Sequence, residues 1–162
     1  MINIRHAKIE DLDRIMEIYD CARKIMRDSG NPNQWINGYP ERNLIKEDIA
    51  KNQFYVCENE DGIIVAVFCF VPGPDPTYSY IEDGEWISDS PYYVVHRMGS
   101  DGSVKGIAQT CFDWCFRQSP CVRADTHAAN KIMQHLLIKN GFKKCGIIYV
   151  EDGSPRIAYQ KG

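Results

Sequence analysis

Apolar and polar residues alternate over INIRH, residues 2–6, and then the period changes. From Leu12 through Ile15, Met16, Tyr19, Ala22 and Met26 the apolar positions recur at steps of three and four, the spacing of one helix face. A short strand followed by a helix is predicted, with Glu10 or Asp11 serving the first turn and Gly30 ending it. NPNQWINGYP, 31–40, carries two prolines and a glycine and reads as loop. A second helix follows from 41 to about 51, burying Leu44, Ile45 and Ile49. QFYVCE (53–58) and IIVAVFCFV (63–71) flank Asp61-Gly62, a hairpin signal. The second run is apolar on both alternations, as a central strand covered on both faces requires.

Residues 72–91 are rich in Pro, Asp, Gly and Ser, a connection long enough to suggest a functional loop. YYVVHRM (92–98) reads as a strand, GSDGSVKG as a glycine-rich loop, and 104–117 as a helix with Ile107, Cys111, Trp114 and Cys115 on one side. A strand at 121–125, a helix through the following stretch, and strands at 142–150 and 156–160 around Asp152-Gly153 close the chain. The order β-α-α-β-β-β-α-β-α-β-β predicts an α/β (α+β) fold. Its sheet is mixed and mostly antiparallel, of about seven strands, with about four helices on both faces, as one domain over residues 1–162.

Composition narrows the partners. With 162 residues, 44% hydrophobic and 25% charged, the chain has the balance of an ordinary globular domain. Its net charge is −3 and it has no Lys/Arg cluster, so nucleic acid is not an expected partner. No apolar run approaches the roughly 18 residues of a membrane span, and charges interrupt MINIRHAKIEDLDRI where a signal core would lie. A cytoplasmic protein with no membrane partner is expected. Seven cysteines form no CxxC pair, and most sit among apolar neighbours, as Cys69 does in VFCFV. Reduced, buried thiols are expected rather than disulfides or a metal site.

Two stretches carry candidate chemistry. In MGSDGSVKGIAQ, 98–109, three glycines precede a helix start whose first amides are unpaired, with Lys105 beside them. That combination suits a phosphate or pyrophosphate, or is a plain turn into a helix. In VRADTHAANKIMQHLLIKNGF, 122–142, Ala129, Ile132, Met133, Leu136 and Leu137 form an apolar face. Thr126 or Asp125 is a suitable N-cap, and Gly141 a left-handed stop. Asn130 beside His127 is left over from that account, because asparagine is a mediocre helix former whose amide both donates and accepts.

Taken together, the glycine loop and helix, the next strand, and Asn-x-x-Met-x-x-Leu-Leu-x-Lys-x-Gly-Phe at Asn130, Lys139, Gly141 and Phe142 resemble the GNAT acyltransferase superfamily over essentially the whole chain. The family's [QR]xxGx[GA] motif falls on Ser103, Val104, Lys105, Gly106, Ile107 and Ala108, departing from it at Ser103. The resemblance implies acetyl-CoA or another acyl-CoA as co-substrate, no metal, and a wedge between the fourth and fifth strands. Met98, Gly99 and Ser100 would line the pantetheine arm, the amides of Val104 to Ala108 would hold the pyrophosphate, and Asn130 would hydrogen-bond the cofactor. An amine would attack the thioester directly. The tyrosine that many relatives carry seven residues after the asparagine is Leu137 here, so a proton donor must come from elsewhere or the thiolate leaves unassisted.

His127 and Asp125, ending the strand beside the expected thioester, are candidate acid–base groups. The plainer reading makes Asp125 a helix cap and His127 a surface residue. His96 reads as a structural histidine with Arg97 on the opposite strand face. For the acceptor, Trp35 and Tyr39 in the early loop, with Tyr78, Tyr80, Glu85 and Trp86 in the long connection, form an aromatic and acidic set. It suits a cationic amine, with Glu85 as base. Trp35 and Tyr39 serve equally as loop anchors or as the surface of a homodimer, and for the aromatics of the long connection anchoring is the plainer reading. A polyamine-like molecule, an amino acid, a peptide N-terminus and a lysine side chain all remain open as acceptors, and a non-catalytic acyl-CoA-binding domain is the alternative to an enzyme.

Overall fold

A computed structural model describes residues 1–162, and its elements follow the order expected from the sequence. β1 (Asn3–His6) leads through a 3-10 turn into α1 (Leu12–Asp28), whose inner face carries Leu12, Ile15, Ile18, Tyr19 and Ala22. Then come α2 (Arg42–Ala50) and the hairpin of β2 (Phe54–Glu58) and β3 (Ile64–Pro72). Asn59 shapes that hairpin, its Oδ1 accepting the amides of Asp61 and Ile63. The chain continues through β4 (Tyr93–Ser100), α3 (Ile107–Gln118), β5 (Val122–Thr126), α4 (Lys131–Lys139), β6 (Lys143–Tyr149) and β7 (Pro155–Lys161). No helix is long and apolar enough to cross a membrane.

The strands form one seven-stranded sheet in the order β1-β2-β3-β4-β5-β7-β6. Every neighbouring pair is antiparallel except β4 and β5. β3 lies in the sheet interior and Ile64 to Phe70 are all buried, as its unbroken apolar run requires. On one face α1 and α2 pack Ile15, Ile18, Tyr19 and Ile45 against Phe54, Val56, Val67 and Cys69. On the other, α3 and α4 pack Cys111, Phe112, Cys115 and Leu137 against Phe68, Phe70, Val95, Val122 and Ala124. Each fully buried Ile or Phe contributes roughly 1.5–3 kcal/mol. Six of the seven cysteines are buried, as expected, and Cys21 is exposed.

The first two helices leave the β5-β7-β6 half of their face bare, and the 72–91 connection covers it. Tyr78 there packs with Val94, Ile148 and Ala158. Glu82 pairs with Ile147 beside the sheet edge. Gly84 approaches so closely that an added Cβ would sit 1.9 Å from the Cys145 carbonyl oxygen. The length of this segment thus serves packing.

Two helix starts differ from the sequence expectation. α3 begins at Ile107 rather than near 104, because Gly106 is left-handed (φ 72°) and such a residue cannot sit inside a right-handed helix. α4 begins at Lys131, capped by Asn130 rather than by Thr126 or Asp125. β5 runs on through Thr126, and a turn closed by the Asn130 amide on the His127 carbonyl (2.9 Å) separates strand from helix.

Candidate active site

β4 and β5 are paired at two positions, Tyr93 with Val122 and Val94 with Arg123, and beyond these they part. The parting follows from a bulge. Between Val67 and Cys69 the partner strand β4 gains a residue, and Arg97 takes a left-handed φ of 52°. A non-glycine residue in that conformation costs about 1–2 kcal/mol, so the surroundings must hold it. Tyr19 from α1 donates its hydroxyl to the Arg97 carbonyl at 2.6 Å. The Arg97 guanidinium, largely buried, pairs with Asp48 of α2 at 2.9 Å and also reaches the Tyr39 hydroxyl at 3.3 Å. Burial pushes the Asp48 carboxyl up from its ordinary range, and the charge of Arg97 opposes that rise.

Two cavities flank the split. The smaller, about 230 Å³, is lined by Met98, Gly99 and Ser100 of β4, by Gly106, Ile107 and Ala108 at the start of α3, and by Asn130 to Met133 of α4. The larger, about 510 Å³, is lined by Trp35, Tyr39, His96, Arg97, Asp125, Thr126 and Arg156 among others. They share Met26, Met98, Asn130 and Met133 and so meet at the split.

On the smaller side the chemistry is main-chain. The amides from Val104 to Gln109 donate to no acceptor within the protein. Gly106 turns the chain at their centre, and Ser103 is held apart by its amide and hydroxyl donating to Asp101. Such a row of free N–H groups at a helix start is a cradle for phosphate oxygens. Asn130 uses Oδ1 to accept the Met133 amide and Nδ2 to donate to Gln34 Oε1 at 3.0 Å. One Nδ2 hydrogen remains for a ligand. These groups fit a pyrophosphate-bearing carrier with a narrow arm.

On the larger side the chemistry belongs to side chains. Asp125 accepts a 2.6 Å hydrogen bond from Tyr78. Burial raises the Asp125 carboxyl above its usual range, while Tyr78 and Arg156 pull it back. His96 is neutral, burial and the neighbouring Arg97 holding it down to about 3. Its Nε2 is buried without a partner. Gln34 Oε1 gathers three donors: Asn31 at 2.9 Å, Asn130 at 3.0 Å and Thr126 at 3.4 Å. The early loop is thereby tied to the β5–α4 junction.

Of the sequence-predicted residues, Met98, Gly99, Ser100, Gly106, Ile107, Ala108 and Asn130 come together around the smaller cavity, with Ser103, Val104 and Lys105 in the turn just outside it. Trp35, Tyr39 and Asp125 line the larger one. Four candidates, His127, Glu85, Tyr80 and Trp86, line neither cavity. His127 lines neither cavity; its Nδ1 accepts the Ala129 amide at 2.9 Å and shapes the turn before α4. Glu85 is exposed outside both cavities, because the connection is pinned against β6. Tyr80 is exposed and donates to Glu82. Trp86 anchors the loop, its indole donating to the Tyr78 carbonyl at 3.0 Å and its ring lying 3.9 Å from the Arg123 guanidinium. His96 and Arg97 do not occupy opposite faces either. The bulge breaks the alternation and brings both into the larger cavity.

Gln34, Asp48 and Arg156 were not anticipated. Gln34 carried a signal in its polar loop, whereas Asp48 and Arg156 read as ordinary polar positions of a helix and a strand.

No protein-family model and no curated protein matches the chain. Solved structures do. A GNAT-family acetyltransferase from Streptococcus agalactiae is 32% identical, with a TM-score of 0.90 over 99% of this chain and 94% of that one. GNAT-family acetyltransferases from Listeria monocytogenes (19% identity, TM-score 0.72, 99% and 94% covered) and Bacillus cereus (19%, 0.64, 99% and 96%) share the fold. The split sheet, the free amides before α3 and this near-complete alignment at 32% identity lead to one assignment: the chain belongs to the GNAT family of acetyltransferases.

Proposed function

We propose that the protein is a cytoplasmic enzyme that transfers an acetyl group from acetyl-CoA to a primary amine. The observation that carries the reading is the junction of two chemically different cavities at Met98 and Asn130. One offers main-chain donors for a nucleotide carrier, the other charged side chains for an acceptor. Acetyl-CoA, when bound, supplies an activated thioester carbonyl. The amides of Val104 to Gln109 hold its pyrophosphate. The β4 edge at Met98, Gly99 and Ser100, left without a strand partner on the β5 side, lines its arm together with Asn130.

Asp125 receives the proton that the amine sheds. Its raised pKa makes it a stronger base than an exposed carboxylate, and the Tyr78 hydroxyl fixes its orientation. The new bond joins the amine nitrogen to the carbonyl carbon, the carbon–sulfur bond breaks, and the electron pair stays on sulfur. Leu137, 1% exposed, has no proton to give. A thiol with a pKa near 8.5 leaves without much assistance at neutral pH. Calorimetric titration with acetyl-CoA, followed by detection of free CoA thiol across an amine panel, tests the reading. Binding with release of thiol supports it.

Leu137 also favours a second reading, a regulatory domain that binds acyl-CoA without turnover. Saturable binding with no thiol release from any amine would select it.

A further inference from the structure

Arg156 is the buried cation of the larger cavity that has no partner. The residue is 8% exposed and lines the cavity. Its Nη1 donates to the adjacent Pro155 carbonyl at 2.9 Å, and no carboxylate lies within 4.0 Å of it. Nε and Nη2 make no hydrogen bond to the protein, yet they are not sealed in: the sealed, unpaired side-chain atoms are Asn31 Oδ1, His96 Nε2 and Arg123 Nε. The two free donor positions therefore keep some access to solvent, in a residue that lines the cavity. The other arginines in this part of the sheet differ. Arg97 is paired with Asp48, and Arg123 lies between Trp86 and Tyr92 with Nη2 on the Ser88 carbonyl.

An arginine buried without a counter-charge is unfavourable unless a ligand provides one. The groups around Arg156 are already engaged or lie at the rim. Asp125 is held by Tyr78. Asp75 accepts the Thr77 amide and hydroxyl. Asp152 accepts the Ser154 amide, and it and Glu151 are exposed at the β6–β7 turn. His127 has its Nδ1 on the Ala129 amide.

Strand register puts this cation beside the proposed base. Ala158 pairs with Asp125, and Arg156 precedes Ala158 by two residues, so the two side chains share a face as diagonal neighbours. Such neighbours stand roughly 7–8 Å apart at the backbone, the two heads are not in contact, and both side chains line the same cavity, so one small ligand can meet both. The complement of such a pair is an ammonium for the carboxylate and a carboxylate for the guanidinium, carried on one short molecule. We propose that the acceptor is a free amino acid, or an amine of the same amphoteric kind, whose carboxylate is gripped by Arg156 while its amine is directed to Asp125. This rests on the acetyl-transfer reading. It also counts against a peptide N-terminus or a lysine side chain, whose neighbouring carboxyl is an amide.

The test compares the standard α-amino acids with their α-carboxamides, which keep the amine and remove the negative charge. Binding is read by calorimetry and thermal melting without acetyl-CoA, and turnover by thiol release with it. At least one amino acid is expected to bind and to be acetylated with kcat/KM about a hundredfold above its carboxamide, the size of a lost buried charge pair. Arg156→Gln should bring that ratio to within about threefold, with acetyl-CoA affinity kept, and Arg156→Lys should restore part of it. Thermal melts of both variants report whether they fold. Equal use of carboxamides, an equal loss for both classes in Arg156→Gln, or no amino-acid binding by a protein that binds acetyl-CoA overturns the inference. Failure of the wild type to bind acetyl-CoA strikes the transfer reading instead, and the amino-acid binding arm still decides the role of Arg156.

Discussion

The two sides of the β4–β5 split are built on different principles. The carrier side presents main-chain amides from a short contiguous run, Val104 to Gln109, beside three β4 residues. The acceptor side assembles side chains from distant parts of the chain: Trp35 and Tyr39 from a loop, Arg97 from a bulge, Asp125 from β5 and Arg156 from β7. Main-chain donors are the same whatever the side chain. In the proposed transfer, one side thereby tolerates Ser103 in place of the family's usual residue, while the other is left to define the acceptor.

The comparison can be broken in several places. The largest effect is expected where the acceptor side is braced. Asp48→Ala leaves Arg97 buried without its counter-ion and should cost about 3–5 kcal/mol in urea unfolding. It should also loosen the bulge on which both cavities depend. A wild-type midpoint would show that the bulge holds itself.

Next comes acid sensitivity. His96 has a folded-state pKa of about 3 against an ordinary 6.5. Between those values the unfolded chain takes up a proton that the folded protein refuses. The contribution of His96 is thus complete above pH 6.5 and is lost as pH falls toward 3. His96→Gln should remove a loss of up to about 5 kcal/mol from the acid limb of a stability–pH curve. Parallel curves for the two proteins would refute the buried neutral imidazole.

Asp125→Asn should lower kcat roughly a hundredfold, the scale of general-base catalysis, while acetyl-CoA affinity stays the same. Equal loss of both would move Asp125 to the carrier side. There, Gly106→Val forces a branched side chain into a left-handed φ and should weaken acetyl-CoA binding about tenfold, through the 1–2 kcal/mol of strain involved. Lys105→Ala should have a smaller effect, because the lysine only supplements the amides. The smallest effect belongs to Glu85→Gln, which should leave stability within about 0.5 kcal/mol and turnover unaltered, as an exposed residue outside both cavities implies.

The same contrast explains what could be read from sequence. Every strand and helix was legible, because period and Gly/Pro punctuation are local. The carrier side was legible for the same reason, since residues 98–108 are neighbours in the chain as well as in space. The acceptor side was legible only in part: Trp35, Tyr39 and Asp125 stood out in the sequence, whereas Gln34, Asp48 and Arg156 did not. Arg156 and Gln160 are polar positions of a strand whose burial the local sequence does not announce, yet Arg156 is 8% exposed and Gln160 is fully buried. What buries that face is a segment some seventy residues earlier, with Tyr78 packed on Ala158 and Gln160 Oε1 accepting the Ile87 amide. Strict alternation also sent Arg97 to the wrong face, because a bulge has no local signature as strong as a turn's. Long aromatic side chains drew attention to Tyr80 and Trp86, whose work is to fasten the connection.

Calorimetric titration of the purified protein with acetyl-CoA tests the central claim most directly. One molecule should bind per chain, with affinity weakened in Gly106→Val and little altered in Arg156→Gln or Glu85→Gln. No binding at millimolar acetyl-CoA, or equal weakening in all three variants, would contradict a carrier site built from the amides around Gly106.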